Sequence, residues 1–238
     1  MSATRQATAH AKESLKTAAR RVRLFRFSMV ELLIALGLLF FFLPFAQEFE
    51  AGTYIESVLL SVVLLSAVLA VAGRRRALII AILLAIPTLA ARWINHFRPD
   101  LVPPEAFLVG GLLVFIFVVG HILHFVLRAP SVTLEVLCAS ISAYVILGLI
   151  WTIAYWLVDE IVPNAFAFSS GVKEAMRGFN AVYFSFVTLS TVGYGDITPV
   201  ARVARMLAAL EAMTGLLYVA VLIARLVSLY SPRKSNDS

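Results

Sequence analysis

The sequence predicts an all-α membrane protein with six transmembrane helices, and three observations carry that prediction. Hydrophobic residues make up 61% of the 238-residue chain, only 14% of its residues are charged, and the mean hydropathy is +0.92. Soluble domains contain about 45–50% apolar and about 25% charged residues. Six apolar runs are also close to the roughly 20 residues that a helix needs to cross a bilayer. A water-soluble globular domain is therefore excluded.

The six apolar runs have helical length, and none alternates apolar with polar residues as a strand would. They cover Met29–Ala46, Tyr54–Ala72, Ala77–Ile94, Glu105–Leu127, Val132–Val158 and Val200–Tyr230. The third run contains Pro87, which predicts a kink. We expect a basic arm at 1–27, a four-helix membrane domain at 28–128, a second membrane domain at 130–230 and a tail at 231–238. Cys138 is the only cysteine, so no intrachain disulfide can form.

Lysine and arginine are distributed unevenly between the two sides of the predicted membrane domain. Seven lie in residues 1–26 and three in Gly73–Arg76. With Arg128 and the last stretch of the chain, this side holds fourteen of the twenty. Since cytoplasmic segments are enriched in basic residues, we expect a multi-pass protein of the plasma membrane with both termini in the cytoplasm. Two interpretations of the basic arm stay open: binding to anionic lipid, or orientation of the chain alone.

One apolar segment is too short to cross the membrane. Gly178–Leu189 is helix-compatible, and about 12 residues at 1.5 Å each reach about 18 Å, against a bilayer core of about 30 Å. It is followed by Thr191–Asp196, which reads TVGYGD, and by Pro199, which can open the next helix. Such a half-length helix is tolerated only where the following chain is buried or lines a cavity. Because glycine reaches positive φ without steric cost, Gly193 and Gly195 are expected to let successive carbonyls point to one side.

The string TVGYGD resembles the selectivity filter of the potassium channel superfamily. The resemblance covers roughly Asn180 to Leu229: a re-entrant pore helix, the filter, Pro199 and a long inner helix. It implies a passive potassium-selective channel rather than an enzyme, with potassium as the permeant ligand and no cofactor. One chain supplies one filter strand, so the resemblance implies a homotetramer. Two alternatives stay open: a potassium-transport subunit, and a non-conducting membrane interaction protein that keeps the pore fold.

The resemblance also implies roles for individual residues of the second membrane domain, which then is a pore domain. The ion would be bound by the carbonyls of four filter residues, with the hydroxyl of the first as a further ligand: Thr191, Val192, Gly193 and Tyr194. The side chains of Val192 and Tyr194 would pack against the pore helix. Filter support is expected from Gly195, Asp196, Tyr183, Thr188 and Glu211. The inner-helix hinge is expected at Gly215, and the cavity lining at Gly215, Leu216, Val219 and Ile223.

Two departures from the family pattern matter for these roles. Val187 stands where some family members have a glutamate that couples to the filter aspartate, so Asp196 needs another partner. We favour Tyr183 as that partner over simple solvation. Glu105–Leu127 contains no Lys or Arg, whereas voltage-gated relatives have a basic residue at every third position of the fourth span. Since steep voltage gating requires several charges to move, voltage sensing by that mechanism is not expected.

The role of Glu211 is open, because an ionisable residue near the middle of a span is costly and is by default a functional-site hypothesis. It could belong to a ring of carboxylates facing the cavity, bond the pore helix behind the filter, or be protonated and buried between subunits. We favour the bond behind the filter, because Glu211 continues the cavity-lining face only loosely.

Other ionisable side chains in the spans are expected to have ordinary roles. His121 and His124 lie at i and i+3 of the fourth span. There a polar interfacial role is favoured over a ligand or pH-sensing role. Glu31 and Glu56 lie close to opposite interfaces and are expected to snorkel or to cap their helices.

Overall fold

The structure is a computed structural model that describes residues 29–46, 49, 52–73, 75–169 and 175–230. The basic arm and the tail lie outside these residues. The elements in chain order are α1 (Met29–Ala46), α2 (Gly52–Ala70), α3 (Arg75–Phe97), α4 (Pro104–Arg128), α5 (Leu134–Ile161), β1 (Phe166–Phe168), α6 (Phe179–Leu189), β2 (Ile197–Pro199) and α7 (Arg202–Tyr230). In this part of the chain, six helices, all but α6, are long and apolar enough to cross a membrane. The protein is therefore a helical multi-pass membrane protein, as predicted.

The helix bounds follow local signals in the sequence and lie within one helical turn of the predicted runs. Pro104 occupies the first turn of α4, where its missing N–H removes no helix bond. Thr133 caps α5, and its side chain accepts a hydrogen bond from the amide of Val136 at 3.3 Å. α3 runs through Pro87 as one continuous helix, so the proline does not end it.

A single apolar core joins helices α1 to α5 and reaches α6. α4 packs against α3 and α5, and α5 packs against α6 and α7. Phe186 of α6 lies against α5 at Gly148, where the absence of a side chain leaves room for the ring. The same ring meets Phe40 of α1 edge-on, with 4.6 Å between the centroids. The first spanning helix, α1, therefore contacts the pore helix α6 of its own chain directly.

The expectation that Glu56 snorkels or caps is wrong, because it forms an ion pair inside the protein. Its Oε1 lies 3.3 Å from the guanidinium of Arg92, which connects α2 to α3. Arg92 is 9% exposed and also lies over the ring of Phe107 in α4, 5.4 Å from the centroid. Glu31 of α1 is exposed. The pairing was invisible in the sequence because its partners are thirty-six residues apart.

A two-stranded antiparallel ladder, absent from the all-α prediction, lies beside the filter. β1 and β2 pair Phe166 with Pro199 and Phe168 with Ile197. Phe166 also packs edge-on against Tyr155 and against Phe184 of α6, with centroid separations of 5.7 and 5.5 Å. Strands of three residues carry no readable alternation. The ladder therefore ties the segment after α5 to the exit of the filter.

Candidate functional site

The pore helix α6 holds the start of the filter through its last carbonyls. The helix has 11 residues, about 16 Å at 1.5 Å per residue, and ends at Leu189. The amide of Thr191 donates to the carbonyl of Thr188 at 2.9 Å. The amides of Val192 and Gly193 both donate to the carbonyl of Val187, at 2.9 and 3.3 Å. The position of the filter backbone therefore follows from the position of α6.

The filter backbone alternates between left-handed and ordinary conformations. φ is +60° at Thr191, +56° at Gly193 and +80° at Gly195, whereas Val192 and Tyr194 do not have positive φ. In a regular strand successive carbonyls point to opposite sides, and a left-handed residue at every second position turns alternate peptide planes over. The two glycines adopt this conformation without steric cost. Thr191 also has a left-handed conformation, although it carries a β-branched side chain. This is uncommon for such a residue and was not expected from the sequence.

The filter side chains are only partly covered by their own chain. Val192 is 53% exposed and Tyr194 is 72% exposed within the chain. They therefore do not pack fully against the pore helix of their own chain. The uncovered surface of both side chains shows that α6 of the same chain does not bury them by itself.

Asp196 is held on three sides at the end of the filter. Its Oδ2 accepts a hydrogen bond from the hydroxyl of Tyr183 at 2.7 Å, and its Oδ1 accepts from the amide of Ile197 at 3.0 Å. Its carbonyl accepts from the amide of Ser169 at 2.8 Å, next to β1. Tyr183 is the partner of Asp196 that the sequence analysis favoured over simple solvation. The Ser169 bond depends on the unpredicted strand ladder and had no signal in the sequence.

Glu211 lies behind the pore helix and is completely buried by its own chain. Its Oε1 lies 2.6 Å from the hydroxyl of Ser185 on α6, and its Oε2 accepts from the hydroxyl of Tyr155 on α5 at 2.5 Å. The Ser185 hydroxyl also lies 2.8 Å from the carbonyl of Gly148. Of the three interpretations left open by the sequence, this is the geometry of a bond behind the filter. The sequence contained no signal for Tyr155.

Gly215 packs against the pore helix instead of lining a cavity, which corrects one prediction. A side chain at this position would collide with the backbone carbonyl of Leu189, the last residue of α6. α7 continues through Gly215 without interruption. Three other residues predicted to line the cavity are more than 40% exposed within the chain: Leu216, Val219 and Ile223. The close approach of two backbones gives a packing reason for glycine here, independent of any hinge.

The two histidines of α4 have different surroundings. His121 stacks on Phe117, with 6.5 Å between the ring centroids, and His124 is exposed. Among the described residues, no group of three or more His, Cys, Asp or Glu side chains could hold a metal ion.

A half-length helix, a filter loop with alternating left-handed residues, and flanking helices of membrane length resemble the parts of a pore-loop ion channel. Residues 131–231 match the family model described as "Ion channel". Over 83 residues the chain is 35% identical to "Two pore potassium channel b" of Oryza sativa subsp. japonica. The alignment covers 35% of this chain and 21% of the rice protein. No solved structure gives a significant match.

These comparisons support a place for the chain in the potassium channel superfamily, which the TVGYGD string indicates. The matched segment is similar to an ion-channel domain. The chain spans about a fifth of the length of the rice relative.

Proposed function

We propose that this protein is a potassium-selective channel that conducts passively. The observation that carries the proposal is the alternation of positive φ at Thr191, Gly193 and Gly195. This backbone directs successive carbonyls to one side, where they can replace the water shell of a potassium ion. The ion would be bound by the carbonyls of Thr191, Val192, Gly193 and Tyr194 and by the Thr191 hydroxyl.

The proposal includes assembly of four copies around one pore, because a coordination shell of carbonyls needs four filter strands. Two features of the single chain support it. Val192 and Tyr194 leave more than half of their surface uncovered. In the most apolar 18-residue stretch of α7, only 11% of the residues are buried inside the chain. This is the lowest value among the described spanning helices. A helix that is apolar all round is covered by protein or by lipid, and the proposal assigns part of the uncovered surface of α7 to neighbouring copies.

We place the channel in the plasma membrane with both termini in the cytoplasm, from the distribution of lysine and arginine. Gating by movement of α4 in the membrane field is not part of the proposal. α4 begins at Pro104 and its only basic residue of Lys or Arg type is Arg128, at its last position.

The test is ion flux into liposomes that contain the purified protein. We expect potassium uptake far above sodium uptake, and block of the potassium flux by barium. The native mass in detergent is expected to correspond to four chains of 26.1 kDa. Equal sodium and potassium uptake by an intact filter would overturn selectivity, and a monomeric mass would overturn the assembly.

A matched pair of glycine substitutions links the flux to the filter backbone. Gly193→Ala places a side chain on a residue with φ of +56° and is expected to abolish selective flux, because L residues are strained there. Gly37→Ala in α1 meets no atom within 4 Å and has no unusual φ. It is expected to conduct like the unmodified protein. Equal flux from both variants would mean that the filter backbone is not the selective element.

A further inference from the structure

The hydrogen bonds around Glu211 require one more hydrogen than the neighbouring hydroxyl groups can supply. Three close oxygen pairs meet there: Tyr155 hydroxyl with Glu211 Oε2, Ser185 hydroxyl with Glu211 Oε1, and Ser185 hydroxyl with the Gly148 carbonyl. Each pair needs one hydrogen between its oxygens. Tyr155 and Ser185 bring one each, and the Gly148 carbonyl and an ionised carboxylate bring none. A protonated carboxyl at Glu211 supplies the third.

An ionised Glu211 would leave one of these oxygen pairs without a hydrogen. The Ser185 hydroxyl would donate either to Glu211 at 2.6 Å or to the Gly148 carbonyl at 2.8 Å. The remaining pair would then be two lone-pair oxygens held in contact. The Gly148 carbonyl already accepts a second side-chain bond, from the hydroxyl of Thr152 at 2.9 Å. With a neutral acid the chain of donors is complete: Glu211 to Ser185, and Ser185 to Gly148.

The surroundings of Glu211 provide no charge that would favour its ionised form. Its side chain is fully buried. The titratable groups facing it are two phenols of α5, Tyr155 and Tyr144, and α6 contributes only the neutral Ser185 hydroxyl. Among the described residues no Lys, Arg or His pairs with it. Burying an unpaired carboxylate in an apolar interior is strongly unfavourable, so the group keeps its proton instead.

We propose that Glu211 is a resident proton-binding site, a neutral carboxylic acid that joins α5, α6 and α7 and positions the pore helix. It reaches the filter through α6, because Ser185 lies two residues before Val187, whose carbonyl receives the amides of Val192 and Gly193. Glu211 touches no filter residue, so it is a positioning residue. Its consequence for conduction rests on the proposed channel function, whereas the proton itself does not.

The first test is infrared spectroscopy of the purified protein at neutral pH. An un-ionised carboxylic acid has its own carbonyl stretching band, separate from that of carboxylates. We expect such a band in the unmodified protein, its loss in Glu211→Gln, and a shift in Ser185→Ala, which removes the acceptor of the acid hydrogen. A neutral-acid band that survives in Glu211→Gln without loss of intensity would overturn the proposal, as would the absence of such a band in the unmodified protein.

The second test is the pH dependence of unfolding, compared between the unmodified protein and Glu211→Gln. Glutamine copies the donor and acceptor of the neutral acid but carries no titratable proton. An exposed glutamate releases its proton above about pH 5, whereas the folded chain keeps it. Above about pH 5, the folding equilibrium constant of the unmodified protein should fall relative to that of Glu211→Gln. The expected fall is about tenfold per pH unit per chain, and it ends at the pH where the buried acid loses its proton. A flat difference would overturn the proposal.

Tyr218→Phe is the matched control, because its hydroxyl also joins α7 to α5, by donating to the Ser140 carbonyl at 2.6 Å. This variant loses a buried hydroxyl bond but should keep the pH slope of the unmodified protein. Glu211→Gln should assemble as the unmodified protein does, because glutamine keeps the donor and the acceptor of the neutral acid. If Glu211→Gln fails to assemble at neutral pH, the proposal that Glu211 is a neutral acid is wrong. If neither the unmodified protein nor any variant is selective for potassium, the proposed channel function is wrong. The infrared band and the pH dependence of unfolding would still decide whether Glu211 keeps its proton.

Discussion

The hydroxyl of Tyr183 donates a hydrogen bond of 2.7 Å to Asp196, and this bond ties the pore helix to the residue that follows the filter. The bond to Asp196, with burial as a smaller contribution, raises the pKa of Tyr183 to about 12. The phenol therefore keeps its hydrogen at neutral pH and can donate it. The second carboxylate oxygen of Asp196 accepts from Ile197, so both oxygens are held.

Removing the Tyr183 hydroxyl is predicted to loosen the outer end of the filter. In Tyr183→Phe the ring remains and the bond to Asp196 is lost, at a cost of about 1–3 kcal/mol for a charged acceptor. We expect shorter single-channel openings and a lower unfolding temperature in detergent. Tyr54→Phe is the control, since Tyr54 lies on α2 and is half-exposed. Identical open times in both variants would show that the bond does not stabilise the filter.

A side chain at Gly215 is predicted to push the inner helix away from the pore helix. In Gly215→Ala the new methyl group meets the carbonyl of Leu189, a backbone atom that cannot move aside as a flexible side chain could. Overpacking of this kind costs about 1–3 kcal/mol, although alanine favours helix over glycine by about 1 kcal/mol. We expect net destabilisation in thermal unfolding.

The control for Gly215→Ala is Gly120→Ala in α4, where an added side chain meets nothing within 4 Å. That variant is expected to be as stable as the unmodified protein or slightly more stable. If Gly215→Ala were also neutral in stability but changed the open probability, the glycine would be needed for bending and not for packing.

The ion pair between Arg92 and Glu56 is predicted to behave as a coupled unit. Removing one partner leaves the other charge buried and unpaired, which costs about 3–5 kcal/mol. Arg92→Leu and Glu56→Leu should each destabilise the protein strongly, and the double variant should cost less than the sum of the two. Unfolding by denaturant, in a double-mutant cycle, measures this. Additive costs would mean that the two side chains are not energetically coupled. The control is Glu31→Gln, at an exposed site on α1, which should change the free energy of unfolding little.

Open probability is predicted to depend only weakly on membrane voltage. α4 contains no Lys or Arg before Arg128, the residue at its end. Moving one elementary charge through 100 mV is worth about 2.3 kcal/mol, and steep gating uses several such charges. Single-channel recording in planar bilayers over a wide voltage range tests this. An effective gating charge of several units per channel would contradict the prediction.

Much of the fold could be predicted because long apolar runs specify spanning helices by local composition alone. The six predicted runs agree with the helices, and the half-length segment before TVGYGD forms the 11-residue helix α6. The positive φ of Gly193 and Gly195 was also predictable, because glycine is the residue type that adopts positive φ without steric cost. The partner of Asp196 was accessible for a different reason. The resemblance implied Tyr183, which stands where the potassium channel family often has an aromatic donor to that aspartate.

Contacts between distant segments could not be predicted, because the chemistry of one partner does not identify the other. Glu56 gave no indication of Arg92, and nothing in the sequence connected Tyr155 with Glu211. The three-residue strands were too short to show a pattern, yet they hold Asp196 through Ser169.

The sequence by itself determined the six membrane-length helices of the described residues, the half-length helix and the conformation of the filter glycines, because these depend on local apolarity and on backbone sterics. Only the tertiary structure decided that Gly215 meets the end of the pore helix and that Glu211 is enclosed by α5, α6 and α7. An acid in a spanning helix can face water, a neighbouring subunit or its own chain. Which of these it faces depends on how the helices are rotated and packed, and that rotation is set by side chains far apart in sequence.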